Sequence, residues 1–194
     1  LVGRPHGGVA ILWRSDLSFI VSVLNTNSRR VCAVRMDSVD YKLLFINVYM
    51  PCEVDDSSSN EYADQLLAIE ALCNNNPDCH VIAGGDYNVD FSRDRRHTVL
   101  LNDFCESTGL NPAIRHHSCN IDYTYSFNFS RFSLLDHFLL SGAMFENSVS
   151  GVSVLHDIDN LSDHEPIVLK LSLDVKLIGY CHRVHAPRES WVKA

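Results

Sequence analysis

The chain has 194 residues, of which 46% are hydrophobic, and a formal net charge of −8. This suits one domain, or one domain with a tail, and the apolar content excludes a disordered chain. No apolar run reaches the roughly 18 to 20 residues of a membrane span. The acidic balance argues against a broad basic nucleic-acid surface, yet bound divalent cations can bring positive charge to a phosphodiester locally.

The chain opens on Leu1-Val2-Gly3-Arg4-Pro5, without Met or a basic-then-apolar leader, and is expected to be a piece of a longer protein. Gly8 to Trp13 is expected to be a buried strand and Leu17 to Val23 a second. Val31 to Met36 and Lys42 to Tyr49 follow as a hairpin around the polar turn Asp37-Ser38-Val39-Asp40. The period then changes. Ser58 with Glu61 fits a capping box, and Tyr62, Gln65, Leu66, Ile69, Leu72 and Cys73 fall on one face of a helix ending near Asn74-Asn75-Asn76-Pro77. His80 to Ala83 is a strand leading into Gly84-Gly85-Asp86, and a second helix spans about Arg95 to Ser107 with Gly109 behind it.

The last third returns to strands at Tyr123 to Phe127, Leu134 to Leu140, Gly151 to Leu155 and Pro166 to Leu173. Residues 175–194 lose this pattern and read as a linker or tail, leaving 1–174 as the domain. Strands at both ends with helices between predict an α+β layered sandwich with mixed or antiparallel sheets. The seven cysteines are scattered, with no C-x-x-C pair, and read as reduced thiols of an intracellular protein. Cys181, His182 and His185 in the tail, and the adjacent His116-His117, read as solvated surface.

Polar clusters fall at or just beyond strand ends: Asn47-x-Tyr49-x-Pro51, Gly85-Asp86-x-Asn88, Ser133-x-x-Asp136-His137 and Ser162-Asp163-His164-x-Pro166. Taken alone, G-D-x-N is a turn as readily as a site, and Ser162-Asp163-His164 reads as a cap or loop. Asp136 is different, because it interrupts a strongly apolar strand and needs a partner there. A histidine such as His164 would meet that need and be oriented by it. Together the clusters offer carboxylates, an imidazole, an amide and a phenol, with no nucleophilic serine elbow and no Gly-Lys-Ser/Thr phosphate loop. That inventory suits metal-assisted attack of water on phosphorus.

In this order the four motifs resemble the endonuclease/exonuclease/phosphatase superfamily over about Gly7 to Leu173. The resemblance implies the DNase-I-like fold, a four-layer α/β/β/α sandwich of two mixed sheets flanked by helices. Gly3 to Leu12, Asn47 to Cys52 and the trailing Trp191-Val192-Lys193-Ala194 look like the apurinic-type endonuclease domain of LINE-like (non-LTR) retrotransposons.

The resemblance further implies that Asp86 deprotonates the attacking water and Asn88 stabilises the pentacovalent phosphate. His164 would contact the scissile phosphate with Asp136 as its partner, and Tyr49 would touch the phosphate. Asp163 would serve Mg²⁺ or Mn²⁺, and Asn47 and Thr124 would bind substrate. Apart from the resemblance, the basic cluster Arg93-x-Arg95-Arg96-His97 reads either as an exposed helix start or as a substrate-binding track for a DNA backbone. The implied product is a DNA nick with a 3′-hydroxyl, acting as a monomer, in the nucleus when the target is chromosomal, with a reverse transcriptase in cis and no membrane. The family's metal-binding Glu and its N-terminal strand region have no match here, so activity of this chain is expected to be impaired. Cys52 stands where repair enzymes of the family carry Asn, and Tyr125 stands where a Trp or Phe is usual after Thr. Two other readings remain: a phosphatase or sphingomyelinase of the same superfamily, and a non-catalytic retroelement remnant acting as an interaction module.

Overall fold

The computed structural model describes residues 8–17, 19–128, 130–157 and 159–173. A six-stranded sheet is built from β1 (Ile20–Leu24), β2 (Val31–Asp37), β3 (Lys42–Tyr49), β4 (His80–Asp86), β5 (Leu110–Pro112) and β9 (Asp136–Ser141), in the order β1-β2-β3-β4-β9-β5. Within this sheet only β3 and β4 run parallel, because helix α1 (Asp56–Asn74) carries the chain back between them. Helix α2 (Arg96–Thr108) follows β4 and ends at Gly109, whose φ of +69° suits a residue without a Cβ.

A smaller mixed sheet pairs β6 (Cys119–Asn120), β10 (Val149–Val154) and β11 (Ile167–Leu171) in the order β11-β10-β6. A separate hairpin joins β7 (Tyr125–Phe127) to β8 (Arg131–Ser133), and the short α3 (Gly142–Asn147) links β9 to β10.

Period-two alternation in β3 splits the core in two. Leu44, Ile46 and Val48 face α1 and α2, where Tyr62, Leu66, Ile69, Leu101 and Phe104 meet them. Leu43 and Phe45 face the other way, into a second cluster with Ile82, Leu140, Met144 and Val152 between the two sheets. The layered DNase-I-like α+β architecture is therefore present; described residues build its helical layer over the large sheet and the two facing sheets.

Three local expectations change. Gly8 to Trp13 forms no strand: Leu12 is 91% exposed, and a strand exists only where a neighbouring backbone pairs with it. The capping box of α1 is Asp55 with Ser58, not Ser58 with Glu61. Asp55 Oδ1 accepts the Ser58 N–H at 2.8 Å, and Ser58 Oγ accepts the Asp55 N–H at 3.0 Å. The carboxylate is the better anion for the helix N-terminus, and Glu61 is left to pair with Arg30 at 2.7 Å. The strand expected from Leu134 starts at Asp136, since Leu134 and Leu135 form its entry loop. β5, β6, β8 and α3 are too short to carry a readable period. The tail at 175–194, with Cys181, His182, His185 and Trp191, lies outside the described residues, as does the stretch from Leu1 to Gly7.

Candidate active site

Strand register alone brings the polar ends together. Tyr49 pairs with Asp86 across the parallel β3–β4 ladder, and Asp86 pairs with Asp136 across the antiparallel β4–β9 ladder. The three residues form one row at one end of the large sheet. Gly85 makes that row possible: its φ is +139°, and a Cβ there would stand 2.1 Å from the Val48 carbonyl oxygen.

Beyond β4 the chain turns sharply. Asn88 takes φ +50°, and its backbone N–H donates to Asp86 Oδ1 at 2.8 Å. Its amide Nδ2 donates to the Met50 carbonyl at 2.8 Å and to Asp86 Oδ2 at 3.2 Å, so Asn88 holds Asp86 in place. The Cys52 thiol donates to Asn88 Oδ1 at 3.2 Å, and burial raises its pKa, which keeps it a donor. The G-D-x-N stretch is thus both a turn and part of the polar group.

His164 arrives from the loop before β11. Its Nδ1 lies 2.8 Å from Asp136 Oδ2, and its Nε2 lies 4.0 Å from Asp86 Oδ2. Ligand atoms of Asp86, Asp136 and His164 fall within 4.8 Å of one another, a geometry able to hold a metal ion. Burial, then the neighbouring Asp136 charge, pushes the Asp86 carboxyl up to about 6. The bond to Asp136 raises His164 above its ordinary value, against the opposing pull of burial. A half-buried carboxyl titrating near neutrality, beside an imidazole whose charged form Asp136 favours, is suited to moving protons and receiving negative charge.

The remaining expected residues separate. Tyr49 is half-buried with the Arg30 guanidinium 5.5 Å from its ring centroid, and burial raises its pKa, so the phenol stays a donor. Asn47 Nδ2 donates to the Ala10 carbonyl at 2.9 Å, on the same face of β3 as Tyr49. Asp163 is exposed and stands outside the group of three, yet its charge raises the pKa of both Tyr49 and His164. Arg95 lines, with Asn88, Arg93 and Tyr125, a cavity of about 260 Å³ beside the site.

Two of the expected residues lie apart from the group of three. The exposed Arg96 guanidinium pairs with Asp56 at the start of α1. Thr124 is fully buried, and its hydroxyl accepts the backbone N–H groups of Leu135 and Asp136. His137, next to Asp136, is also structural: it is buried, its Nε2 lies 2.7 Å from the Val89 carbonyl, and burial lowers its pKa. Asp90 anchors a local turn through Ser92 Oγ at 2.6 Å and Arg93 at 3.3 Å. Cys52 is the contributor that sequence reasoning left without a role; its place directly after Tyr-x-Pro was the available signal.

Residues 2–164 match the model of the Endonuclease/Exonuclease/phosphatase family. A search of curated proteins gave no match. Among solved structures, the fold is similar to the endonuclease domain of TRAS1, a telomere-specific non-LTR retrotransposon. The TM-score is 0.67 at 16% identity, covering 82% of this chain and 72% of that one. It is also similar to the 3′ phosphatase NExo from Neisseria bound to product DNA hairpin, with TM-score 0.58, 18% identity and coverage of 75% and 65%. A family protein from Bacteroides thetaiotaomicron matches with TM-score 0.52 and 20% identity, covering 75% of this chain and 55% of that one. This chain thus spans less than two thirds of the Neisseria and Bacteroides proteins. At these identities the likeness is one of fold.

Proposed function

The chain belongs to the Endonuclease/Exonuclease/phosphatase family, and from that premise we propose that it is a divalent-cation-dependent endonuclease that nicks DNA. The observation that carries this reading is Asp86 facing Asp136 at adjoining strand ends, with His164 held by Asp136 at 2.8 Å. The retrotransposon endonuclease domain and the DNA-bound phosphatase among its structural neighbours support DNA as the substrate, and a reverse transcriptase in cis would be the next actor. Work on a chromosomal target would place the reaction in the nucleus.

The donor set fits a hard cation. Two like-charged carboxylates sit close enough to raise Asp86, and a cation between them and its own waters would relieve that repulsion. Mg²⁺ or Mn²⁺, when bound there, would polarise the phosphoryl group and offset its developing charge. Asp86 and Asp136 would hold it, with Asp163 serving it directly or through water.

Asp86 accepts the proton of the attacking water. The water oxygen bonds to phosphorus, the P–O3′ bond breaks, and the 3′-oxygen leaves to take up a proton. His164, held through Nδ1 by Asp136, presents Nε2 to a non-bridging phosphate oxygen, and Asp136 favours the protonated form that donates there. Asn88 keeps Asp86 aimed, and its Nδ2–H on Asp86, the longer of its two bonds at 3.2 Å, is the donor free to turn to the phosphate. Tyr49 adds a phenolic donor from the neighbouring strand.

A plasmid-nicking assay with Mg²⁺ tests the reading. The expected product, formed at the impaired rate expected of this chain, is relaxed circles whose 3′-hydroxyl a polymerase extends, with Asp86→Asn and His164→Ala each lowering that rate by about 10²-fold or more. Release of phosphate from a 3′-phosphorylated oligonucleotide without nicking would replace it with the phosphatase reading that the Neisseria neighbour favours. Neither product from the wild-type chain would leave a non-catalytic module.

Cation binding gives a separate prediction. Calorimetric titration with Mg²⁺ should show one site at pH 7.5 that weakens as pH falls through about 6, because Asp86 then takes a proton in competition with the cation. Binding that is unchanged at pH 5, or that survives Asp86→Asn, would place the cation elsewhere.

A further inference from the structure

Asp136 and His164 lie 28 positions apart in the chain and meet at 2.8 Å. Something must set that distance. Thr124 is completely buried, and its Oγ1 accepts the backbone N–H of Leu135 and of Asp136, each at 3.0 Å. Its own N–H donates to the Ser133 carbonyl at 3.0 Å, and its carbonyl accepts the Glu165 N–H at 2.7 Å. The next residue, Tyr125, forms an isolated bridge with His164. We propose that Thr124 is a positioning residue: its hydroxyl fixes the first peptides of β9, its carbonyl fixes the loop of His164, and together they set the Asp136–His164 pair.

The chemistry of the position supports this role. At the mouth of β9 the ladder with β4 begins only at Asp136, so the N–H groups of Leu135 and Asp136 point inward at the strand's entry. A hydroxyl carries two acceptor lone pairs, enough to receive both. Branching at Cβ restricts χ1 and holds that oxygen still. On the other side, the carbonyl bond to Glu165 and the bridge at Tyr125 hold His164 from both flanks. One residue thereby references the carboxylate and the imidazole to the same point. A shift of about 1 Å between groups that must act together lowers a rate by up to about 10²-fold.

The catalytic consequence rests on the nuclease reading above; the positioning itself does not. The test pairs Thr124→Val, which keeps the shape and loses the acceptor, with Thr124→Ser, which keeps the acceptor and loses the methyl group. Two readouts are taken: the downfield proton of the His164–Asp136 hydrogen bond by NMR, and kcat against KM in Mg²⁺-dependent nicking. The expected result is that Thr124→Ser retains the proton and stays within about threefold of the native kcat. Thr124→Val, folded at low temperature, loses the proton and about tenfold or more in kcat with KM nearly unchanged.

The reverse pattern, with Val retaining the proton and Ser losing it, would mean that packing of the methyl group matters and would overturn the proposal. Should the Val variant fail to fold, Ser decides: retention of proton and kcat supports the hydroxyl, and loss of either overturns it. A wild-type chain that nicks nothing would sink the nuclease reading while the proton resonance still reports on Thr124.

Discussion

Asp86→Asn is expected to be more stable than the native chain at pH 7 in the absence of divalent cations, while losing all Mg²⁺-dependent nicking. Burial and the Asp136 charge raise the Asp86 carboxyl from 3.8 to about 6 in the folded state. A raised carboxyl pKa means that the folded chain binds the proton more tightly than the unfolded one. Its contribution is therefore fully present below about pH 4 and is lost as pH rises through about 6. A shift of about two units corresponds to about 3 kcal/mol.

An amide avoids that loss, though it gives up the bond from Asn88 Nδ2 to Oδ2, which is worth about 1 kcal/mol. The net gain at pH 7 should then be about 2 kcal/mol, read as a higher urea midpoint, and it should shrink towards pH 4. Equal midpoints at pH 7 would show that Asp86 is an ordinary solvated carboxylate. Saturating Mg²⁺ should close the gap by stabilising the native chain alone.

Gly85→Ala is expected to have the largest effect of any single methyl group in this protein. The φ of +139° is open in practice to glycine alone, and the new Cβ would stand 2.1 Å from the Val48 carbonyl oxygen. That oxygen belongs to the central β3–β4 ladder and has nowhere to move. Strain and overpacking together should destabilise the fold by about 4 kcal/mol or more, and Asp86, the next residue, would lose its register with Tyr49 and Asp136. Chemical denaturation measures the first effect, and Mg²⁺ titration of the folded fraction the second. Near-native stability would mean that the close approach at Gly85 is not obligatory. Gly84→Ala is the comparison, since its Cβ would meet the side chain of Phe138 at 2.6 Å and no backbone atom as close.

Much of this could be read from the residues alone. The alternation of Lys42 to Tyr49, the helical spacing from Tyr62 to Leu72 and the apolar run into Gly84 gave three of the elements that hold the site. Asp136 announced itself as a carboxylate in an apolar strand that needed a partner, and His164 is that partner. Local pattern was misleading where an element depends on something distant. Gly8 to Trp13 has the composition of a strand but pairs with no backbone among the described residues, and Ser58 fills a capping box whose N-cap is Asp55. Thr124 and Arg96 both carry functional groups suited to a substrate. The first is spent inside the protein, and the second on Asp56.

The sequence by itself determined which chemistry is present, since side-chain identity and motif order do not depend on distance. It also determined the layered α+β class, because hydrophobic periodicity is a local property of the chain. The tertiary structure alone decided how those groups are charged and aimed. The pairing of Asp86 with Asp136 is set by strand register and raises one carboxyl towards neutrality. The glycine-only backbone of Gly85 within β4 is demanded by a neighbouring carbonyl, and the reach of Thr124 to both Asp136 and the His164 loop exists only once the entry to β9 has closed. Burial and through-space charge act over ångströms rather than over positions in a chain, so they appear only when the fold has brought the groups together.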